Sequence, residues 1–426
     1  MDIFSRITFI HIYLGDARDS VQFGSTGNDR YIGNPGADAF LGGGGFDVVD
    51  YSQSFEGIRV SFLDGGFGRG GGAQGDSYGQ VEGAIGSAFD DILEGARQWD
   101  GRQYVEVNVN EMFDGRAGND TIYGAGGYDE IHGGAGDDRL FGGDGMDFIR
   151  GGSGDDWIDL GAGPGSASAD SGDDVIICGH GGGEIGAGHG DDTIYGGQGA
   201  EWLDGDRGND EINGSWGDDW LLGGPGRDWL SGGSGDDMIY GGYFFTEFDG
   251  DPGGDHADTI FGGDGKDTIM AGSGFDRVDG GAGDDLVFLG DGGDFFAARE
   301  SRGAGNDQVS GESGDDFIHT GRNDDLLDGG DGDDVLDGGS GSDTLTGGAG
   351  ADRFHFYLGS GQDRITDFSL EGGDRLHLSS SIGAPSGWLD GASAFLRLGD
   401  DDIIELADIS DPSELSGILD HGILML

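Results

Sequence analysis

Proline, cysteine, basic side chains and long apolar runs are all scarce in this chain, and each scarcity excludes something. Six prolines stand against 100 glycines, which rules out a collagen triple helix with its third-place glycine and abundant proline. A single cysteine, Cys178, rules out an intramolecular disulfide, so an extracellular form needs another staple, and a metal is one choice. The 21 basic residues face 84 acidic ones, a net charge of −63. Such a surface repels nucleic acid and anionic membranes and points to cationic partners. No run approaches the roughly 20 apolar residues of a membrane span. The N-terminus MDIFSRITFIHIYLGD has a short apolar stretch, but Asp2 is acidic and no small-residue cleavage site follows, so no cleaved signal peptide is expected.

Glycine-rich, highly charged chains are ordinarily disordered, because they bury too little apolar surface to offset chain entropy. Here the apolar residues are periodic. The stretch 133–159, GGAGDDRLFGGDGMDFIRGGSGDDWID, is three copies of Gly-Gly-x-Gly-x-Asp-x-apolar-x. The nine-residue period holds over 14 phrases from Gly115 to Tyr240, 5 from Gly253 to Ala297, 6 from Arg302 to His355 and 3 from Gly24 to Asp50. In these 28 phrases the sixth residue is Asp in all but three.

The eighth place is apolar (Ile122, Ile131, Leu140, Ile149, Ile158 and on to Phe354) between variable flanks. An x-apolar-x unit after a six-residue turn reads as a minimal strand with one side chain inward. Glycine at places one, two and four supplies backbone conformations closed to other residues. Two phrases make an 18-residue coil of turn, strand, turn, strand, and stacked coils pair their strands in parallel over a thin apolar file. Aspartates stacked at the roughly 4.8 Å strand spacing repel one another. A hard cation taking six or more oxygens from carboxylates and turn carbonyls must lie between them, which suits calcium and not magnesium.

Alternate phrases fall on opposite edges, so same-edge aspartates lie 18 apart. One edge of the long block reads Asp120, Asp138, Asp156, Asp174, Asp192, Asp210, Asp228; the other reads Asp129, Asp147, Gly165, Gly183, Glu201, Asp219, Asp237. The inward residues of the departing phrases stay apolar, as Ala167, Ile185 and Leu203. Either the coils persist with metal sites weakened or lost, or Asp170, Asp191 or carbonyls fill in. The remaining candidate ligands are Asp29, Asp38 and Asp47 in the first block, Asp91 after it, Asp258, Asp267, Asp276, Asp285 and Asp294, then Asp307, Asp316, Asp325, Asp334, Asp343 and Asp352. Gaps bracketed by two same-edge aspartates number roughly sixteen, a floor for the ions. Folding is then expected to be linked to calcium. On the second edge's sheet the outward seventh place holds Phe148, Trp202, Trp220 and Met238, either a stacking ladder or a binding patch.

The phrases GGAGDDRLF, GGDGMDFIR and GGSGDDWID resemble the calcium-binding nonapeptides of the RTX (repeats-in-toxin) family. The resemblance implies an all-β fold, a right-handed parallel β-roll (a β-helix or solenoid) of GGxGxDxUx repeats binding multiple Ca2+ between successive turns. It divides the chain into an N-terminal cap at 1–23, a first block with a variant segment at 24–94, an insertion at 95–114 and the main roll at 115–240. A bulged repeat at 241–252 and a second roll at 253–355, with a short insertion at 298–301, precede a β-rich C-terminal cap at 356–426. The segment FYLGSGQDRITDFSLEGGDRLHLSS is similar to the closing segment of type I secreted members. Asp363 could be a last ligand there, with Asp367 and Asp374 weaker candidates. In DPSEL, Asp411 reads as a helix cap with Pro412 first in the helix. The final DHGILML looks like the uncleaved export signal of that class, with an ordinary last strand as the alternative. What the resemblance implies is a bacterial protein secreted through type I machinery and folded outside the cell.

No H-E-x-x-H is present, and the histidines are scattered, several of them (His132, His319, His355) in the outward ninth place. No stretch outside the repeats is long enough for an ordinary catalytic domain, so an enzyme is not expected. Two functions remain. One is a stand-alone calcium-binding protein in adhesion, matrix or surface association, with an extracellular polysaccharide or cell-surface protein as partner. The other is the targeting or folding module of a secreted protease, lipase or polysaccharide epimerase whose catalytic domain is not in this chain.

Overall fold

One inward side chain per strand can be buried only if successive coils stack, and stacking is what the chain does. The structure is a computed structural model that describes residues 11–14, 18–63, 66–99, 104–106, 109–242, 257–298, 305–382, 385–399 and 401–425. Parts of the expected N-terminal cap, of the insertion at 95–114, of the bulged repeat (243–252) and of the short insertion (299–301) lie outside the described residues. The fold is an all-β parallel β-solenoid, in two units, Met1–Glu211 and Ile212–Leu426.

In the first unit, strands Met112–Ala117, Glu130–Ala135, Phe148–Ser153, Gly165–Ser171, Gly183–His189 and Trp202–Arg207 succeed one another on one face. Thr121–Gly127, Arg139–Gly145, Trp157–Asp159, Val175–Ile177 and Thr193–Tyr195 form the other. Each strand pairs in parallel with the one a coil later, so that Ile131 faces Ile149, Leu140 faces Ile158 and Ala167 faces Ile185. The eighth-place side chains make the core, with Ile122, Ile131, Leu140, Ile149 and Ile158 fully buried. Several strands run six or seven residues rather than three, because the second and third places of the following phrase also pair: Arg116 with Gly134 and Ala117 with Ala135.

The variant segment contributes rungs of its own. Gly83–Ile85 pairs on one side with Val48–Asp50 and on the other with Met112–Asp114. Arg59–Ser61 pairs with Ile92–Glu94. A separate three-stranded parallel sheet joins Val21–Phe23, Ala39–Leu41 and Ser77–Gly79. Aromatic rings fill this wider part: Tyr31 lies 5.4 Å from Phe40, Phe40 stacks on Tyr78, and Phe62 bridges Tyr78 and Phe113. Arg97–Trp99 and Tyr104–Glu106 form an antiparallel hairpin.

The second unit follows the same rule and absorbs its interruptions without losing register. Trp229 pairs with Thr259 and Met238 with Thr268, 30 residues on, and Leu286 pairs with Gln308, 22 on. After Gln362–Ile365 the pattern turns antiparallel through Ser386–Asp390, Ser393–Arg397 and Ile403–Leu406, a closing arrangement of the kind solenoids require. The helix Pro412–Gly417 starts where the sequence places it, with the Asp411 carboxylate accepting the Ser413 N–H. The tail Ile423–Met425 adds a parallel strand to Arg375–Leu378. Among the described residues no helix is long and apolar enough to cross a membrane.

Candidate metal centre

The repeating site is clearest at Asp138. Its Oδ1 accepts the Asp120 N–H at 2.7 Å, and its own N–H is donated to Asp156 Oδ1 at 2.8 Å. Asp156 continues to Asp174, Asp174 to Asp192 and Asp192 to Asp210. Each sixth-place aspartate is thereby clamped by one oxygen. The other oxygen, Oδ2 of Asp120, Asp138, Asp156, Asp174 and Asp192, is buried with no hydrogen-bond partner.

Glycine in the first place makes room for something at that oxygen. A Cβ on Gly133 would stand 2.2 Å from Asp138 Oδ2 and 2.8 Å from the Gly151 carbonyl oxygen. At Gly115 the distances are 2.3 Å to Asp120 Oδ2 and 2.6 Å to the Gly133 oxygen. A carboxylate oxygen and a carbonyl oxygen from the next coil thus converge on one point with no donor between them. The sequence-based reason for this glycine was its backbone freedom. The structure corrects that: Gly134 and Gly136 in places two and four have φ of 122° and 126°, but Gly133 has no left-handed φ and is required for space.

Uncompensated burial is costly for a carboxylate. Burial, reinforced by like charges along the ladder and partly offset by the backbone N–H donor, pushes Asp120 and Asp156 up to about 8. Burial, partly offset by the backbone N–H donor and reinforced by nearby like charges such as Asp137 and Asp173, pushes Asp138 and Asp174 up to about 7 and Asp192 to about 6. Among the described residues no three His, Cys, Asp or Glu side chains converge as a metal cluster, so main-chain carbonyls must supply much of any coordination shell. An all-oxygen, carbonyl-rich set fits a calcium ion.

The sign of these shifts gives a pH prediction. Carboxyls raised in the folded state stabilise the metal-free fold while protonated, and that contribution is lost as pH rises through about 6 to 8. In excess chelator the β-sheet circular dichroism should therefore strengthen as pH falls from about 8 to about 5. Over the same range, protons competing for the ligands should raise the calcium midpoint of folding at least about tenfold. A chelated chain that loses β-structure on mild acidification would contradict the assignment.

The two edges differ as the sequence indicates. On the second, Glu111 donates its N–H to Asp129 and Asp129 to Asp147, and then come Gly165 and Gly183. Their coils persist, in register. Of the side chains that could substitute, Asp170 is held by Arg150 and Ser168, and Asp191 accepts from Asn209 on the opposite edge. Instead the first-place glycine is also gone. Leu160 is buried there, its Cδ2 3.0 Å from where a Gly165 Cβ would stand, and Cys178, first in the phrase of Gly183, is buried too. Glu201 turns back on its own loop, accepting from Gly197 and Gly199.

In the second unit one ladder runs Asp228, Asp258, Asp276, Asp294, Asp316, Asp334, Asp352, Asp374. The other runs Asp219, Asp237, Asp267, Asp285, Asp307, Asp325, Asp343, Asp363. Both pass straight across the interruptions. Buried Oδ2 atoms without a partner recur at Asp237, Asp267, Asp285, Asp294, Asp316, Asp325 and Asp334. Asp374 belongs to a ladder, whereas both Asp367 oxygens are taken by the Gly347 and Gly348 N–H groups.

Three of the expected ligands have protein donors at both carboxylate oxygens. Ser25 donates to both oxygens of Asp29, and Ser87 does the same for Asp91, whose Oδ1 also takes the Ile58 N–H. Asp38 accepts from Ser20 on one oxygen and Asn34 on the other. Protein donors meet these carboxylates where the others have none. Conversely, Glu82 receives the Asp47 N–H, continuing the ladder that Asp29 opens, Asp76 receives that of Asp38, and Asp402 accepts from Gly359 and Gly361. Glu111 was legible, since it stands 18 residues before Asp129. A further ladder escaped the sequence reading: the exposed fifth-place residues Asp137, Asp155, Asp173 and Asp191 also accept backbone N–H groups coil by coil.

The profile of the RTX calcium-binding nonapeptide repeat matches residues 23–52, 114–149, 132–167, 187–212, 213–242, 253–269, 261–296, 303–336 and 328–365. Among solved structures, a hyperactive, Ca2+-dependent, β-helical antifreeze protein from an Antarctic bacterium is similar at 20% identity, covering 72% of this chain and 84% of that one with a TM-score of 0.28. The extracellular lipase LipA from Serratia marcescens is similar at 21% identity over 58% of this chain and 40% of that one, TM-score 0.22. No curated protein matches the chain.

Proposed function

From the premise that the chain belongs to the RTX calcium-binding nonapeptide repeat family and binds multiple calcium ions, we propose that it is a secreted protein that calcium folds outside the cell, where the rigid roll serves adhesion, matrix or surface association. The observation that carries this reading is the row of buried, partnerless Oδ2 atoms facing carbonyl oxygens. The ions are held by the ladder aspartates, with Asp29, Asp38 and Asp91 as turn-closing residues rather than ligands. The chain's own part is to hold each carboxylate by its Oδ1, present turn carbonyls, and exclude water with the eighth-place file. The ion supplies the positive charge that lets the carboxylates stack.

Purified protein incubated with washed bacterial envelope, with and without millimolar calcium, tests the surface role. Retention that needs calcium is the expected result. A chain that is folded in calcium yet never retained would overturn the adhesion reading while leaving calcium-driven folding intact.

The gap on the second edge is, on this reading, a stretch where an apolar plug replaces the ion. Leu160→Gly together with Gly165→Asp should restore a carboxylate and its space, adding about one bound calcium by native mass spectrometry and raising the thermal midpoint. Gly165→Asp alone should destabilise, since its Cβ would stand 2.8 Å from the Asp147 carbonyl oxygen and 3.0 Å from Leu160 Cδ2. An unchanged ion count in the double variant would argue against the plug.

A further inference from the structure

One groove of the first unit departs from the acidic surface around it. About 410 Å³ in volume, it is lined by Arg30, Arg116, His132 and Arg150, in a chain with only 21 basic residues. Asp114, His132 and Arg150 follow one another on neighbouring rungs along its wall. Arg30 is neutralised by Asp50 at 2.6 Å and Arg150 by Asp170 at 2.5 Å. With Asp114 also present, three arginines meet three aspartates. The groove is close to neutral in a molecule of charge −63, so it is where an anion meets least repulsion.

Arg116 is the exception within it. Among the described residues it has no ion-pair or hydrogen-bond partner, and it is exposed. It occupies the second place of its phrase, where neighbouring rungs carry Gly134 and Gly152, and its φ is 80°. A residue with a Cβ is disfavoured there, although Ala125, Asp170, Ser215 and Glu312 take the same left-handed φ in the second place of their phrases. Gly134 and Gly152 also leave the groove floor bare of side chains, so a ligand can approach the main chain closely.

We propose that this groove binds the oxyanion group of an acidic ligand, a carboxylate or sulfate, with the Arg116 guanidinium as its direct partner and His132 and Arg150 alongside. A planar guanidinium matches such groups with two parallel hydrogen bonds. The site rests on the calcium-folded roll proposed above.

Arg116→Gly tests it cleanly, because it restores the residue the repeat itself uses and relieves the left-handed φ. The calcium-loaded protein is titrated with inorganic sulfate, with a glucuronic-acid disaccharide and with a neutral glucose disaccharide, while circular dichroism follows folding. The wild type should bind one or both anions and not the neutral sugar, and Arg116→Gly should bind at least about tenfold more weakly with unchanged folding. Sulfate alone binding would assign the site to a free inorganic oxyanion, and the uronate alone to an acidic glycan. Equal affinity in Arg116→Gly, or no saturable binding by folded wild type up to ~10 mM, would overturn the proposal. A chain that fails to fold in calcium would instead overturn the calcium-folding reading, and the groove with it.

Discussion

Stripping calcium with a chelator should abolish most of the β-sheet circular dichroism, and returning millimolar calcium should restore it. The roll buries only one or two apolar side chains on most strands and has no disulfide. Against that stand two ladders of buried carboxylates whose second oxygens meet no donor and a net charge of −63. A ligand present at a hundred times its dissociation constant contributes about 2.7 kcal/mol per site. Five such sites would contribute ~13 kcal/mol, comparable to the whole stability of an ordinary domain, ~5–15 kcal/mol. Removing the ions removes more than a roll of this build holds in reserve. A β signal unchanged in chelator at neutral pH would defeat the account.

The second large effect concerns which rung is lost. Asp138→Ala should raise the calcium midpoint several-fold and flatten the titration, whereas Asp147→Ala should do less. Asp138 sits inside an uninterrupted series, accepting from Asp120 and donating to Asp156. Its loss strands the Asp120 N–H, a cost of about 1–3 kcal/mol, and weakens the ion positions above and below it. Asp147 is followed on its edge by Gly165, with Leu160 filling the space, so only one neighbouring position depends on it. Asp138→Asn, which keeps an acceptor but drops the charge, separates the two contributions. A midpoint shift in Asp147→Ala as large as in Asp138→Ala would sink the argument.

Period, edges and core were legible because each phrase carries its own instructions. The apolar eighth place predicts Leu140 against Ile158, and the 18-residue spacing predicts Asp138 against Asp156. What escaped depends on three-dimensional neighbours. Nothing in GGAGDD says that Gly133 is needed for space while Gly134 is needed for its φ. The serines that close Asp29 and Asp91 occupy a variable-looking second place, and their meaning appears only when their donors reach both carboxylate oxygens. Glu82 continues a ladder from 35 residues away, because the variant segment between takes a detour no fixed period can follow. The loss of Asp at 165 and 183 was visible, but its partner change at Leu160 and Cys178 emerged only once first and sixth places proved to share one space.

The hydrogen-bonded ladders have a mechanical consequence. In the sixth place the N–H of each coil is donated to the carboxylate of the following coil, as from Asp120 to Asp138. In the fifth place it is donated to that of the preceding one, as from Asp155 to Asp137. Neighbouring coils are therefore stitched by side chains thrown in both directions at the same turn. Tension along the stack loads the two sets of stitches together, so a coil should yield as a unit at a sharp threshold force instead of unravelling gradually, and an interior coil cannot be peeled from either side without tearing both.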